Sequence, residues 1–213
     1  MKIKWLGHAC FLITSDSGLK IITDPYVTGG DLSYGQIKES ADIVIVTHDH
    51  VDHNNVAAIG GNPRVVRGAA NIKGIKFKGI PTYHDDAGGR RRGTNTILCF
   101  ELDGIGLCHL GDLGHQLSDS QAAELGRVDI LFIPVGGFYT IDARLATQLC
   151  DRLKPKVIVP MHYKTAKCAY PITGVEEFLK GKKDVRRLDA SEVELKPGQL
   201  PPSTQVIVLK PAL

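Results

Sequence analysis

The segment ADIVIVTHDHVDHNN, residues 41–55, packs three histidines and two aspartates into six positions: His48, Asp49, His50, Asp52 and His53. Imidazoles and carboxylates at this density are costly to hold together without a compensating charge, and a divalent cation is the usual one. His48 and His50 are two apart, so an extended backbone aims both to one side. Asp52 and His53 are adjacent and diverge unless the chain turns. The stretch DHNNVAAIG can supply that turn by opening a helix with Asp52 in its first turn, where a carboxylate is favoured. One short loop could then grip two neighbouring ions. The first would take His48, His50 and a third histidine, and the second Asp52, His53 and a further ligand. Asp49 is expected to face solvent.

Partners for such a loop must come from elsewhere. Four apolar runs end in a histidine or aspartate at or just after their last residue: IVIVT before His48, KGIPTY before His84, LCHLG before Asp112 and VIVPM before His162. In α/β folds, function gathers at the carboxyl ends of strands, where loops diverge over a rigid base. Four such endings beside a dense cluster point to one convergence point.

The elements that must position these groups can be read from local patterns. KIKWLG, ACFLIT and LKIITD are short strands, the last two joined through SDSG as a hairpin. RVVRG, IKFKGIPTY, NTILCFEL and IGLCHLG continue the β-rich half. SDSQAAELG carries a Ser118-x-x-Gln121 capping box and a closing Gly126, which predicts a short helix. VDILFIPVGG and KVIVPMHY read as buried strands. DARLATQLCDRLKP puts Ala146, Leu149, Cys150 and Leu153 on one helical face, and TGVEEFLKG predicts a helix capped by Thr173 and Glu176.

Bulk properties narrow the class. With 213 residues, 43% hydrophobic and 23% charged, the chain suits one α/β domain over residues 1–213. A net charge of +3 with mixed signs argues against nucleic acid or a membrane surface as partner. Five scattered cysteines, never spaced CxxC, argue against a disulfide scaffold and for a reducing, cytoplasmic setting. No run approaches the roughly 18 apolar residues of a membrane span. The oligomeric state leaves no trace in the sequence.

THDHVDH has the HxHxDH form of the metallo-β-lactamase superfamily, and GHACFLI, TDP, HLGDLGH, IPVGGFYTIDA and PMHY extend the likeness along nearly the whole chain. The combination resembles the Zn-dependent hydrolases that include L-ascorbate-6-phosphate lactonase. This resemblance implies a four-layer αβ/βα sandwich, with two mixed β-sheets and a dinuclear site in the cleft between its halves. It also implies that His48, His50 and His84 hold one metal, Asp52, His53 and His162 the other, and that Asp112 bridges. Asp24 would support the histidine loop by hydrogen bonds. His109 and His115 compete with His84 for the third position.

The expected cofactors are two divalent metal ions, zinc first on a nitrogen and oxygen ligand set, with Mn, Fe or Ni also compatible. Held about 3.5 to 4 Å apart, such ions lower the pKa of a shared water toward roughly 7. Hydroxide attack on an ester, lactone or phosphoester of a small, possibly anionic substrate is therefore the expected chemistry, with Asp52 orienting the hydroxide or shuttling a proton. An RNA- or DNA-processing nuclease and a non-catalytic metal-binding protein are the alternatives. Arg90, Arg91 and Arg92, on a glycine-flanked loop after His84, could bind a substrate phosphate or carboxylate, or could simply be solvated. Tyr139, Tyr163 and Lys164 sit beside strand ends and could line the pocket. His8, in GHACF, could support the site from behind.

Overall fold

A computed structural model describes residues 1–213. In chain order its strands are β1 (Lys2–Gly7), β2 (Cys10–Thr14), β3 (Lys20–Thr23), β4 (Ile43–Ile45), β5 (Arg64–Val66), β6 (Ala70–Ile72) and β7 (Ile75–Tyr83). They continue as β8 (Thr94–Leu102), β9 (Ile105–His109), β10 (Ile130–Pro134), β11 (Val157–Met161), β12 (Val185–Arg187), β13 (Glu192–Glu194) and β14 (Gln205–Val208). Three helices are present: α1 (Asp119–Leu125), α2 (Ala143–Leu153) and α3 (Glu176–Leu179). No helix is long and apolar enough to cross a membrane.

Two mixed sheets face one another. The first has the order β13-β1-β2-β3-β4-β5 and the second β12-β14-β11-β10-β9-β8-β7-β6. In the first, β1, β2, β3 and β13 pair antiparallel, while β4 is parallel to β3 and β5. In the second, β6 to β9 form an antiparallel meander, and β9, β10, β11, β14 and β12 run parallel. Sequence pattern explains the division. β10 and β11 are buried at every position, as parallel strands covered on both faces must be. β7 alternates buried and exposed residues along IKFKGIPTY, as an antiparallel strand with one wet face does.

The inward faces of both sheets meet in one apolar core that includes Ile3, Trp5, Phe11, Ile43 and Ile45 from the first sheet and Ile97, Leu107, Phe132 and Val159 from the second. Phe11 and Phe132 mark the contact, with ring centroids 4.6 Å apart. A smaller cluster backs the first sheet, where Tyr26, Leu32, Tyr34 and Ile37 cover Leu6, Leu12 and Val44. The outer layer of the sandwich on that side is therefore irregular chain. Its sequence, with Pro25, Gly29, Gly30 and Gly35, resists helix formation.

Local expectations are met unevenly. The hairpin between β2 and β3 forms, and Ser15 Oγ accepts from Leu19 N–H at 2.9 Å. The Ser118–Gln121 capping box opens α1. Ala146, Leu149 and Cys150 form the buried face of α2. The helix expected after Asp52 does not form, and only a single 3-10 turn, Val56–Ala58, appears. The His53 N–H bonds His50 O instead, and the Asn55 N–H bonds Pro25 O at 2.7 Å, tying the segment to a neighbouring loop. The Thr173–Glu176 box is also absent. α3 begins at Glu176 without a side-chain cap, because Thr173 Oγ1 donates to Gly136 O.

Candidate metal centre

The strand-terminal groups His48, His84, Asp112 and His162 lie at the same edge of the two sheets. β4 delivers Thr47 and His48, β7 delivers His84, β9 leads through Leu110 and Gly111 to Asp112, and β11 delivers His162. Asp24 directly follows β3, and the turn from β1 to β2 carries His8. Asp24, His162 and His8 adopt left-handed φ values of 35°, 50° and 53°. Non-glycine residues held in that region cost energy, and such strain clusters where function needs a fixed geometry.

Three overlapping groups of candidate ligand atoms result, each with its members within 4.8 Å of one another: His48, His50 and His84; His8, Asp52, His53 and His162; and His48, His53 and Asp112, which joins the other two. Asp112 stands between the first two. Its Oδ2 lies 3.0 Å from His84 Nε2, 3.3 Å from His53 Nε2 and 3.2 Å from His162 Nε2. His48 Nε2 is 3.9 Å away.

Hydrogen bonds behind the site set which nitrogen faces in. Asp24 is fully buried and accepts from the Thr47 N–H and hydroxyl, both at 2.8 Å, and from His53 Nδ1–H at 3.1 Å. Because the Thr47 hydroxyl donates to Asp24, it accepts from His48 Nδ1–H at 3.0 Å. His84 Nδ1–H donates to Tyr139 O at 3.1 Å. In all three residues Nδ1 is anchored and Nε2 points to the centre, the arrangement that prepares imidazoles for a cation.

The site passes the test of needing one. His48 Nε2, His53 Nε2 and Asp112 Oδ1 are buried and have no hydrogen-bond partner within the protein. Buried polar atoms rarely stay unpaired without a ligand or a specific reason, and nitrogen and carboxylate donors suit a divalent cation.

Electrostatics agree with this geometry. Burial, reinforced by neighbouring His53, pushes His48 down to about 3. Burial and His162 push His8 down to about 4, and burial with His84 lowers His50. Burial opposes the charge on His53 and His84, but the Asp112 carboxylate overcomes it and raises both. Burial would likewise raise Asp112 and Asp52, yet the surrounding histidines hold both carboxyls low. A cation at the centre would compete with protons for His53 and His84, whose hold on a proton the Asp112 carboxylate raises. Calorimetric titration with Zn²⁺ at pH 7, repeated in buffers of different ionisation enthalpy, should record net release of protons on binding. Metal affinity should fall as pH drops further. Binding without proton release would contradict this account.

The remaining expected residues divide. His109 is spent on structure: Nε2–H donates to Ala9 O and Nδ1 accepts from the Gly111 N–H, each at 3.0 Å. His115 Nε2 accepts from the Tyr83 N–H and Nδ1–H donates to Gln116 O. Both nitrogens of each ring are thus occupied away from the centre, whereas His84 groups with His48 and His50. His8 Nε2 lies 3.3 Å from Asp52 Oδ2. Arg91, Arg92 and Tyr139 wall a cavity of ≈ 310 Å³ floored by His50, Asp52, His84, Asp112 and His162. Arg90 lies outside that wall and is exposed. Tyr163 is not a lining residue either, since its ring is buried against Trp5 at 5.3 Å. Lys164 is exposed, and its Nζ donates to Tyr170 O. Asp49 faces solvent and pairs with Arg67.

Four contributors were not among the residues expected from the sequence. Thr47 links His48 to Asp24, and Asn95 Oδ1 accepts from the Asp112 N–H at 3.0 Å. Tyr170 lines the cavity and donates its hydroxyl to Asp52 Oδ2 at 3.3 Å. Asp85, next to His84, gathers four backbone N–H groups. Of these only Asp85 had a usable cue, because Asp before a Gly-rich stretch favours an Asx-type turn.

Gly111 makes the close approach possible. At φ +55°, an added Cβ would stand 2.4 Å from Asn95 Oδ1 and 2.5 Å from Thr47 Oγ1. Gly111→Ala should lower the stability of the metal-free protein by about 1–3 kcal/mol. Denaturant unfolding measures it, and an unchanged midpoint would mean the turn is not held as described.

Comparison with known proteins places this arrangement. The family model for the beta-lactamase superfamily domain matches residues 2–162. A UPF0173 metal-dependent hydrolase of Hyperthermus butylicus is 32% identical, the match covering 93% of this chain and 97% of the relative. The corresponding protein of Archaeoglobus fulgidus is 31% identical with the same coverage. Among solved structures, a Thermotoga maritima protein described as a candidate Zn-dependent hydrolase of the metallo-beta-lactamase superfamily superposes with a TM-score of 0.80 and 38% identity, over 98% of this chain and 97% of that one. The chain belongs to the metallo-β-lactamase superfamily, and it does so as a metal-dependent hydrolase.

Proposed function

We propose that the protein hydrolyses an ester, lactone or phosphoester bond of a small molecule at a centre built for two divalent cations. His48, His50 and His84 would hold one, Asp52, His53 and His162 the other, and Asp112 would serve both. The observation that carries this reading is the position of Asp112 Oδ2, within 3.3 Å of Nε2 atoms from both groups. Zinc fits the donor set first, and Mn, Fe or Ni fit it as well. When bound, the cations supply Lewis acidity that activates water and polarises the bond to be cleaved.

The chain's own residues do the rest. Asp52 is kept ionised by the surrounding histidines, so it is available as an anionic ligand and can orient the attacking water by accepting its hydrogen bond. His8 Nε2 and the Tyr170 hydroxyl, each 3.3 Å from Asp52 Oδ2, fix that carboxylate at the cavity floor. Tyr139 orients His84 through its carbonyl and offers its ring to the substrate. A cavity of ≈ 310 Å³ is at the lower end of small-molecule sites, roughly 300 to 1,000 Å³. The five cysteines are free and buried, in keeping with a reducing, cytoplasmic setting.

A panel of lactones, carboxylic esters and phosphoesters, assayed after Zn²⁺ or Mn²⁺ reconstitution and again with chelator, tests the proposal. Turnover that chelator abolishes is expected. Stoichiometric metal binding with no turnover across the panel would contradict it.

A further inference from the structure

The loop that follows His84 is a fixed element and not a solvated run of charge. Asp85 is 2% exposed and accepts four backbone N–H groups: Ala87 and Gly89 on Oδ1, Arg91 and Arg92 on Oδ2, all between 2.8 and 2.9 Å. The loop is closed at its base by the His84 N–H to Gly93 O bond and the Gly93 N–H to Gly89 O bond. Gly114 packs so closely on it that an added Cβ would lie 2.3 Å from Asp85 N. Because the loop starts at a candidate metal ligand, Arg91 and Arg92 are held in register with the centre.

The two arginines differ in how far they are already satisfied. Arg91 Nη1 bonds the exposed Asp86 at 2.9 Å. Arg92 is half-buried, and its guanidinium has neither a carboxylate within salt-bridge distance nor any side-chain hydrogen bond. Its one directional contact is with the Tyr139 ring, whose centroid is 5.3 Å from Cζ. Tyr139 in turn packs edge-on against Tyr170 at 5.5 Å, and Tyr170 reaches Asp52. A row of Arg92, Tyr139 and Tyr170 thus borders the cavity, with an uncommitted fork of N–H donors at one end and the reacting centre at the other. A planar guanidinium pre-set on an aromatic face recognises carboxylate and phosphate oxygens in pairs. The acidic groups in the cavity, Asp52 and Asp112, both point to the histidine cluster and leave Arg92 to a ligand.

We propose that the substrate carries an oxyanion, a carboxylate or phosphate, separate from the bond that is cleaved, and that Arg92 binds it while Arg91 adds charge nearby. The body of the substrate then lies along Tyr139 and Tyr170. This rests on the hydrolase reading above and adds the substrate class to it.

Two activated esters differing by one carboxylate provide the test: 4-nitrophenyl butyrate and mono-4-nitrophenyl glutarate, with zinc-reconstituted wild type, Arg92→Ala and Arg92→Lys. Wild type should prefer the glutarate ester by about tenfold or more in kcat/KM, chiefly through KM. Arg92→Ala should lose the glutarate ester's advantage, and Arg92→Lys, which keeps the charge but not the fork, should keep part of it. No preference in wild type, or an equal fall for both esters in Arg92→Ala, overturns the proposal. Calorimetric titration of the same proteins with glutarate, and separately with inorganic phosphate, reads the site without turnover. At least one should bind wild type and bind Arg92→Ala about tenfold more weakly, and which one does so distinguishes carboxylate from phosphate. Failure of both to bind wild type, or equal affinity in Arg92→Ala, overturns the proposal. If neither these esters nor any member of the lactone, ester and phosphoester panel is hydrolysed while this titration shows the difference, the proposed hydrolytic reaction fails and the oxyanion site stands.

Discussion

Replacing Asp112 with alanine is expected to reduce bound metal from about two ions per chain to one or fewer and to lower hydrolysis on the order of a thousandfold or more. The metal figure follows from geometry: Asp112 Oδ2 lies within 3.3 Å of Nε2 atoms from both ligand groups, so its loss weakens both positions together. The rate figure follows from the several kcal/mol of charge stabilisation that a cation supplies at a reacting centre, at a tenfold change for every 1.4 kcal/mol or so. Elemental analysis after dialysis reads the first quantity and steady-state kinetics the second. Full metal content with activity near wild type would remove Asp112 from the centre. The variant also leaves His53, His84 and His162 without their shared carboxylate, so metal-free unfolding should be measured beside it to separate loss of ligation from loss of fold.

The second large effect is expected at Asp24, which touches no candidate reacting group. It is fully buried and holds Thr47 through two hydrogen bonds and His53 through a third. Its carboxyl is kept low, since the hydrogen bond and charge of His53 outweigh burial. Asp24→Ala leaves the Thr47 N–H, the Thr47 hydroxyl and His53 Nδ1–H unsatisfied in the interior. Breaking a buried charged network from one side costs roughly 3–5 kcal/mol, and loss of a partner behind a metal ligand typically weakens metal affinity by about 10–100-fold. The sign of the pH effect follows from the depressed value. Stability contributed by Asp24 is present above the unfolded carboxyl's pKa of about 3.9 and is lost as pH falls through the lower folded value. Wild type and Asp24→Ala should therefore converge in stability on acidification. Asp24→Asn restores shape without charge, and should recover folding better than metal affinity.

Much of the candidate site was legible because its residues follow strands. An apolar run that stops at His48, His84, Asp112 or His162 carries both a structural and a chemical signal, and β4, β7, β9 and β11 do converge on one edge. The paired sheets were legible for the same reason, through the buried runs of β10 and β11 and the alternation of β7. The losses came where tertiary contacts override local pattern. Residues after Asp52 were expected to continue as a helix, but the bond from Asn55 to Pro25 holds them in another course. Tyr163 follows a strand end as closely as His162 does, yet it turns into the core against Trp5. Tyr170 reaches Asp52 across 118 residues of sequence from a segment, KCAYPIT, with no periodicity to reveal its direction. Asp85 sits beside a ligand, but its four backbone partners exist only once the loop has closed.

The central claim is that two cations sit side by side in this cavity. Anomalous-difference maps at the zinc absorption edge, from crystals grown with excess Zn²⁺, test it most directly. Two peaks are expected, one among His48, His50 and His84 and one among Asp52, His53 and His162, each adjoining Asp112. A cavity with no peak, or zinc found only on surface histidines and carboxylates, would contradict it.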